Sequence, residues 1–157
     1  ALLIENLFYF TLVDTGASVR DPALIAEILK IANEDCVTRV KVLPAVKKCE
    51  LIRLYSEAKI LLHPSIYEGL PYVALEAQAV GLPIVASTAV PPEAVIHGVT
   101  GFRVSDPQDV HTFAKYVEML LNDDNLWKRL SIAARRHAEE LDCKKAALKY
   151  LSLCNGT

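Results

Sequence analysis

No two of the chain's six glycines stand as Gly-x-Gly, and no Gly-x-x-x-x-Gly-Lys occurs. The first absence removes the dinucleotide-binding fingerprint and the second removes the P-loop. No Asp-x-Asp occurs either, which counts against a metal ion bridging a nucleotide diphosphate. Basic residues show no excess: 17 Lys and Arg stand against 19 Asp and Glu, a net charge of −2, so a nucleic-acid partner is not expected. No apolar run approaches the ~18 residues of a membrane span. No basic start followed by an apolar core and a small-residue cleavage site marks a signal peptide. Four cysteines, Cys36, Cys49, Cys143 and Cys154, include no Cys-x-x-Cys pair, and their spacing with His63, His97, His111 and His137 fits no zinc pattern. They read as reduced thiols of a cytoplasmic protein, and neither a metal nor a cofactor is expected. There is no internal repeat and no low-complexity segment.

What is present is a globular composition, 52% hydrophobic and 23% charged, over a length that suits one domain spanning 1–157. The chain opens on Ala1 without an initiator methionine and reads as a piece of a longer polypeptide. Short apolar runs alternate with helical ones. Strands are expected at 7–14, 37–43, 59–65, 83–87 and 101–105. Helices are expected at 21–34, behind Asp21-Pro22, and at 47–58, where Leu51, Leu54, Tyr55 and Ala58 share a side. A further helix lies within 67–83 and a short one at 91–98. Three more fill 108–123, 125–141 and 143–154, with Asp123-Asp124 marking a helix start. Strands separated by helices of about a dozen residues give a doubly wound, Rossmann-like α/β fold: a parallel sheet, helices on both faces, and a helical C-terminal tail.

Such sheets bind ligands at the carboxyl ends of their strands. The loops there are Asp14-Thr15-Gly16, Leu43-Pro44-Ala45, His63 to Gly69, and Ser87 to Pro92. A phospho-receiver would end its third strand in aspartate, and this one ends in His63-Pro64. The segment "SIYEGLP" brings Glu68 and then Gly69 to the crevice as a helix begins. Pro71 fits an early helical position, and free amides around Gly69, Leu70 and Tyr72 make a site for phosphate oxygens. On helical spacing Glu76 shares its face with Tyr72, Val73, Ala79 and Val80, which places a carboxylate on an apolar face, with Gln78 about 200° around the axis. Glu76 stands roughly 8 Å into the helix, at ~1.5 Å per residue. Two carboxylates flanking an anion site suit a ligand with hydroxyls at both ends and phosphates between, as in a nucleotide-sugar.

The stretch "PSIYEGLPYVALEAQAVGLPIVAS" resembles the signature of retaining glycosyltransferases of the GT-B architecture, with Glu68, Glu76, Gly81 and Pro83 in place. The likeness continues through Glu93, Gly98, Gly101 and Asp106, and extends weakly to the Asp14-Thr15-Gly16 turn and to "LDCKKAALKYL". The resemblance implies the donor-binding half of a metal-independent hexosyltransferase, with a UDP- or GDP-type sugar as donor. Glu68 would contact hydroxyls of the sugar, in the catalytic position, and Glu76 the ribose. Amides from Gly69 to Tyr72, across Leu70 and Pro71, would hold sugar hydroxyls and diphosphate. Leu43 and Pro44 would hold the base, and Gly16 would line the first loop. An N-terminal acceptor domain of the same full-length chain is the implied partner, along with an Arg/Lys pair that clamps the diphosphate ahead of this segment, so 1–157 alone is expected to transfer little. Ala89-Val90 stands where the family often has Gly-Gly, a bulkier loop expected to narrow the donor pocket or change its sugar preference. A non-catalytic nucleotide-sugar-binding module and a sugar-nucleotide epimerase are the alternative readings.

Plainer roles stand beside these. In these Glu68 is a helix-start charge, Glu76 the partner of a core lysine, and Glu93 a cap near Pro91-Pro92 as readily as a ligand contact. His63 is a hydrogen-bonded core histidine more readily than a catalyst, and Tyr67 and Tyr72 pack rather than stack on a base. The basic residues from Lys128 to Lys149 form a solvated face more readily than one that docks on a membrane surface.

Overall fold

Apolar residues alternate between two sides of the strands at the middle of the chain, and this alternation organises the molecule. The computed structural model describes residues 2–6, 9–13, 30, 39–69, 71–141 and 151. In chain order its elements are β1 (Leu2–Asn6), β2 (Tyr9–Val13), β3 (Arg39–Leu43), α1 (Lys48–Glu57), β4 (Ile60–His63), α2 (Tyr72–Ala79), β5 (Ile84–Ser87), β6 (Gly101–Val104), α3 (Val110–Asn122) and α4 (Asp124–Glu140). Of the expected helices at 21–34 and 143–154 only Lys30 and Leu151 are described, both helical, and Cys36, Cys143 and Cys154 lie outside the described residues.

Six strands form one sheet in the order β3-β2-β1-β4-β5-β6. β2 and β3 are parallel, as are β4, β5 and β6, whereas β1 runs antiparallel to both β2 and β4. Five strands therefore share one direction, which is the doubly wound α/β arrangement expected, and β1 is the reversed addition. The expected strand at 7–14 covers β2 and misses β1, because "LLIENLFYFTLV" is nearly continuous in apolar character. Glu5-Asn6 is the interruption, and Asn6 pairs with Tyr9 across a two-residue connection.

Leu61, Ile84 and Ala86 join Leu54, Tyr55 and Ala58 of the α1 segment and Ala74 and Ala77 of α2 in one buried cluster. Ile60, Val85, Phe102 and Val104 join Phe113 and Leu120 of α3 and Leu130 of α4 in another. Consecutive residues of β4 and β5 thus enter different clusters, as the period of a two-faced strand requires. The start of α4 is moored below β4: Asp123 caps it by accepting from the amides of Asn125 and Leu126 at 3.0 and 2.9 Å. Trp127 Nε1 donates to the Lys59 carbonyl at 2.7 Å, and the Lys59 ammonium lies 4.7 Å from the Trp127 ring centre.

Two glycines are dictated by the fold. Gly81, at φ 81°, ends α2, with its own amide bonded to the Gln78 carbonyl and the Leu82 amide to that of Ala77. Gly101 lies so close to β5 that a Cβ there would stand 2.1 Å from the Ile84 carbonyl oxygen. The short helix expected at 91–98 is instead a pair of turns. Ala94 and Val95 amides both reach the Pro91 carbonyl, but the next amides are diverted: Ile96 donates to Thr100 Oγ1 and Gly98 to the Gly101 carbonyl.

Candidate functional site

β4 and β5 end side by side, and their last residues fix the loop between β4 and α2. His63, the last residue of β4, places Nε2 3.0 Å from Glu68 Oε1, with its side chain 12% exposed and that of Glu68 25% exposed. Ser65 Oγ donates to the same Oε1 at 2.8 Å and lies 3.3 Å from His63 Nε2. Ser87, fully buried at the end of β5, donates its hydroxyl to the Ser65 carbonyl. Burial holds the His63 imidazole below the usual histidine range, against the upward pull of the Glu68 carboxylate. Glu68 is therefore a half-buried carboxylate held by two side-chain donors, rather than a free charge at a helix start.

Beyond Glu68 the chain enters α2 without a side-chain cap. Ala74 and Leu75 amides return to the Pro71 carbonyl, leaving the earlier amides of the first turn outside the helical ladder. An added Cβ at Gly69 would meet nothing within 4 Å. Among the described residues no group forbids a side chain there, so packing does not require glycine at this position.

The expected apolar surroundings of Glu76 are half right: Val73 and Val80 are half-buried and pack against the core cluster of α1 and α2, whereas Tyr72 and Ala79 are exposed. The buried residues of α2 are Ala74, Ala77 and Gln78. The face toward the sheet and α4 is the one with Gln78, whose Nε2 donates to the Ala94 carbonyl and whose Oε1 is buried with no partner among the described residues. Glu76 is half-buried on the other side and pairs with Lys48 at the start of α1. The lysine-pairing role is thus the one present, and Lys48 is an exposed lysine rather than a core one. Beneath them lies Tyr55, buried at 1% exposure with no partner for its hydroxyl among the described residues. Burial first, and then the Glu76 charge, push this phenol well above its ordinary range.

The loop after β5 is braced from β6. Arg103 donates through Nη2 to the carbonyls of Thr88 at 3.2 Å and Val90 at 2.8 Å, and Thr88 Oγ1 donates to the Ser105 carbonyl at 2.9 Å. Val90 is fully buried in the core cluster of α1 and α2, so its bulk is turned into the protein rather than into the crevice. Glu93 is exposed, and its carbonyl rather than its carboxylate is engaged, by His137 Nε2 at 2.7 Å. Tyr67 and Tyr72, expected to pack, are 90% and 75% exposed. Leu43 and Pro44 lie at the end of β3, half-buried and exposed respectively. Gly16 and Leu70 lie outside the described residues. Pro71 is buried at the helix entrance.

Lys48, Ser65, Ser87 and Arg103 are the residues that spacing did not single out. Ser65 stands three before Glu68 and was open to inference; the Lys48–Glu76 pair, 28 residues apart, leaves no local mark. Among the described residues no group of three or more His, Cys, Asp or Glu is placed to hold a metal ion, and no helix is long and apolar enough to cross a membrane.

Residues 25–137 match the family described as glycosyl transferases group 1. A D-inositol 3-phosphate glycosyltransferase of Corynebacterium diphtheriae is 37% identical over 116 residues, 73% of this chain and 27% of that protein. A sucrose synthase of Melioribacter roseus is 33% identical over 119 residues, 72% of this chain and 15% of that one. This chain therefore spans less than a third of these curated relatives. Among solved structures, sucrose-phosphate synthase from Thermosynechococcus elongatus superposes with a TM-score of 0.77 at 27% identity, over 93% of this chain and 37% of that one. Anabaena HepE in complex with UDP-glucose gives 0.76 at 22% identity, over 94% and 40%.

Proposed function

The chain belongs to the group 1 glycosyltransferases, and from that premise we propose that it is the donor-binding half of a retaining enzyme that moves a sugar from a nucleoside diphosphate to an acceptor. One observation carries the reading: the uncapped start of α2 lies between two carboxylates, Glu68 before it and Glu76 within it. Unpaired amides and the positive end of the helix dipole suit a diphosphate, and they suit it better as negative charge builds on the leaving group. Glu68 accepts from sugar hydroxyls, and Glu76 accepts from the ribose once it releases Lys48. Leu43 and Pro44, at the end of β3, border the base. Gly69 lets the sugar approach the backbone.

The fold neighbour that carries UDP-glucose supports a nucleotide-sugar ligand. The acceptor and its binding domain belong to the rest of the polypeptide in this reading, and the protein works in the cytoplasm.

Thermal unfolding with UDP, GDP, ADP and their common sugar conjugates tests the proposal. Ligand at ~100 times its dissociation constant adds about 2.7 kcal/mol of stability. Glu76→Ala is expected to weaken binding of the selected nucleotide by about 1.5–3 kcal/mol, the worth of a hydrogen bond to a charged group. No stabilisation by any nucleotide at millimolar concentration, or binding indifferent to Glu76→Ala, overturns it.

A further inference from the structure

We propose that His63 is a positioning residue for Glu68: together with Ser65 it holds one carboxylate oxygen, Oε1, and leaves Oε2 to receive a hydroxyl of the bound sugar. This deepens the nucleotide-sugar reading above and rests on it.

Two contacts converge on one oxygen, and the groups that make them touch each other. His63 Nε2 stands 3.0 Å from Oε1, Ser65 Oγ donates to it at 2.8 Å, and the two donors lie 3.3 Å from each other. An ionised carboxylate only accepts hydrogen bonds, so the imidazole meets Oε1 with its proton on Nε2. Both donors are built on fixed backbone. His63 closes β4, which is bonded between β1 and β5, and the Ser65 carbonyl is tied down by the buried Ser87 of β5. A glutamate side chain has three rotatable bonds. Left free beside an open crevice it would be ordered only when ligand arrived, and that ordering would weaken binding. Held by two donors at the end of a strand, it is ordered beforehand.

The neutral state of the imidazole matters to this role. Burial disfavours a second proton on His63. A neutral N–H orients the carboxylate without cancelling its charge, whereas an imidazolium in the same place would compete with the sugar hydroxyl for it. The expectation is specific to the sugar: His63 should influence how well a nucleotide-sugar is preferred over its nucleotide, and should leave the nucleotide's own affinity alone.

Dissociation constants of the purified protein for UDP-glucose and UDP, and in parallel for GDP-mannose and GDP, test this. The wild type should prefer one sugar nucleotide over its parent nucleotide. His63→Leu should lose about tenfold of that preference, one hydrogen bond's worth, at unchanged affinity for the parent nucleotide. His63→Gln, whose amide N–H can stand in for Nε2–H, should restore it. In a Glu68→Gln background His63→Leu should have no further effect. Ser65→Ala removes the second donor to the same oxygen and should shift the preference in the same direction, which keeps the test decisive if His63→Leu fails to fold. Full preference in both His63→Leu and Ser65→Ala, or an equal loss for nucleotide and sugar nucleotide, overturns the positioning role while leaving the donor-binding reading intact. A wild type that binds none of the four ligands overturns that reading first, and the positioning role with it.

Discussion

Tyr55 carries a hydroxyl that burial has stripped of water, with no partner among the described residues. An unsatisfied buried hydroxyl costs about 1–3 kcal/mol, and a phenyl ring fills the same space without it. Tyr55→Phe is therefore expected to leave stability unchanged or raise it at neutral pH, as chemical denaturation would show; a loss beyond 1 kcal/mol, roughly one ordinary net hydrogen bond, would reveal a partner for the hydroxyl. The same residue gives alkaline pH a direction. Its folded-state pKa is raised above the unfolded value of about 10, so the unfolded chain releases its proton first. The contribution is whole below pH ~10 and is lost above it, and Tyr55→Phe should flatten that decline. Glu76 shows what was and was not legible at this scale. Its place in the helix followed from counting, but helical spacing gives which residues share a face and not which face the sheet takes. Three small or flexible residues, Ala74, Ala77 and Gln78, let α2 approach α4 and the sheet, and that packing turned Glu76 outward to Lys48.

At the scale of elements, two glycines separate fold from site. Gly101→Ala sets a methyl group 2.1 Å from a backbone carbonyl of β5, and neither strand can yield without breaking ladder bonds. A loss of about 3 kcal/mol, at the upper end of overpacking costs, is expected in urea unfolding. Gly69→Ala meets only open space and should leave the same curve in place. Equal effects would show that the two positions are not distinguished in this way. Most elements were legible because each carries its own signal: β-rich apolar runs for β4 and β5, Asp123 ahead of α4, Gly81 behind α2. Two features were not. β1 is distinguished from β2 by a single polar step, and the turns at 91–99 depend on a threonine hydroxyl and a glycine carbonyl that come later in the chain. The loop between β4 and α2 was legible as a strand-to-helix junction, but the grip of His63 and Ser65 on one oxygen of Glu68 is three-dimensional and has no spacing of its own.

Across the whole molecule, the two clusters on opposite sides of the sheet set an expectation about additivity. Ile84 belongs to the cluster with α1 and α2, and Leu120 to the cluster with α3 and α4. Ile84→Val should cost about 0.5–1.5 kcal/mol and Leu120→Ala about 2–5 kcal/mol. The double variant should equal their sum within roughly 0.5 kcal/mol, since the pair shares no packing partner. A coupling above 1 kcal/mol in the same denaturation series, well beyond that ~0.5 kcal/mol scatter, would mean that the sheet transmits strain between its faces. The sheet's remaining peculiarity, its reversed strand, has a consequence in time. β1 lies at the interior of the finished sheet, yet Leu2 pairs with Leu62, about sixty residues further along. At ~5–20 residues per second a ribosome needs roughly 3–12 s to deliver that partner. Through that interval β1 has only β2 beside it and offers its other side as an open edge, the feature by which nascent chains capture one another. A strand interior to the finished sheet is thus unguarded on one side while its second partner is still being made.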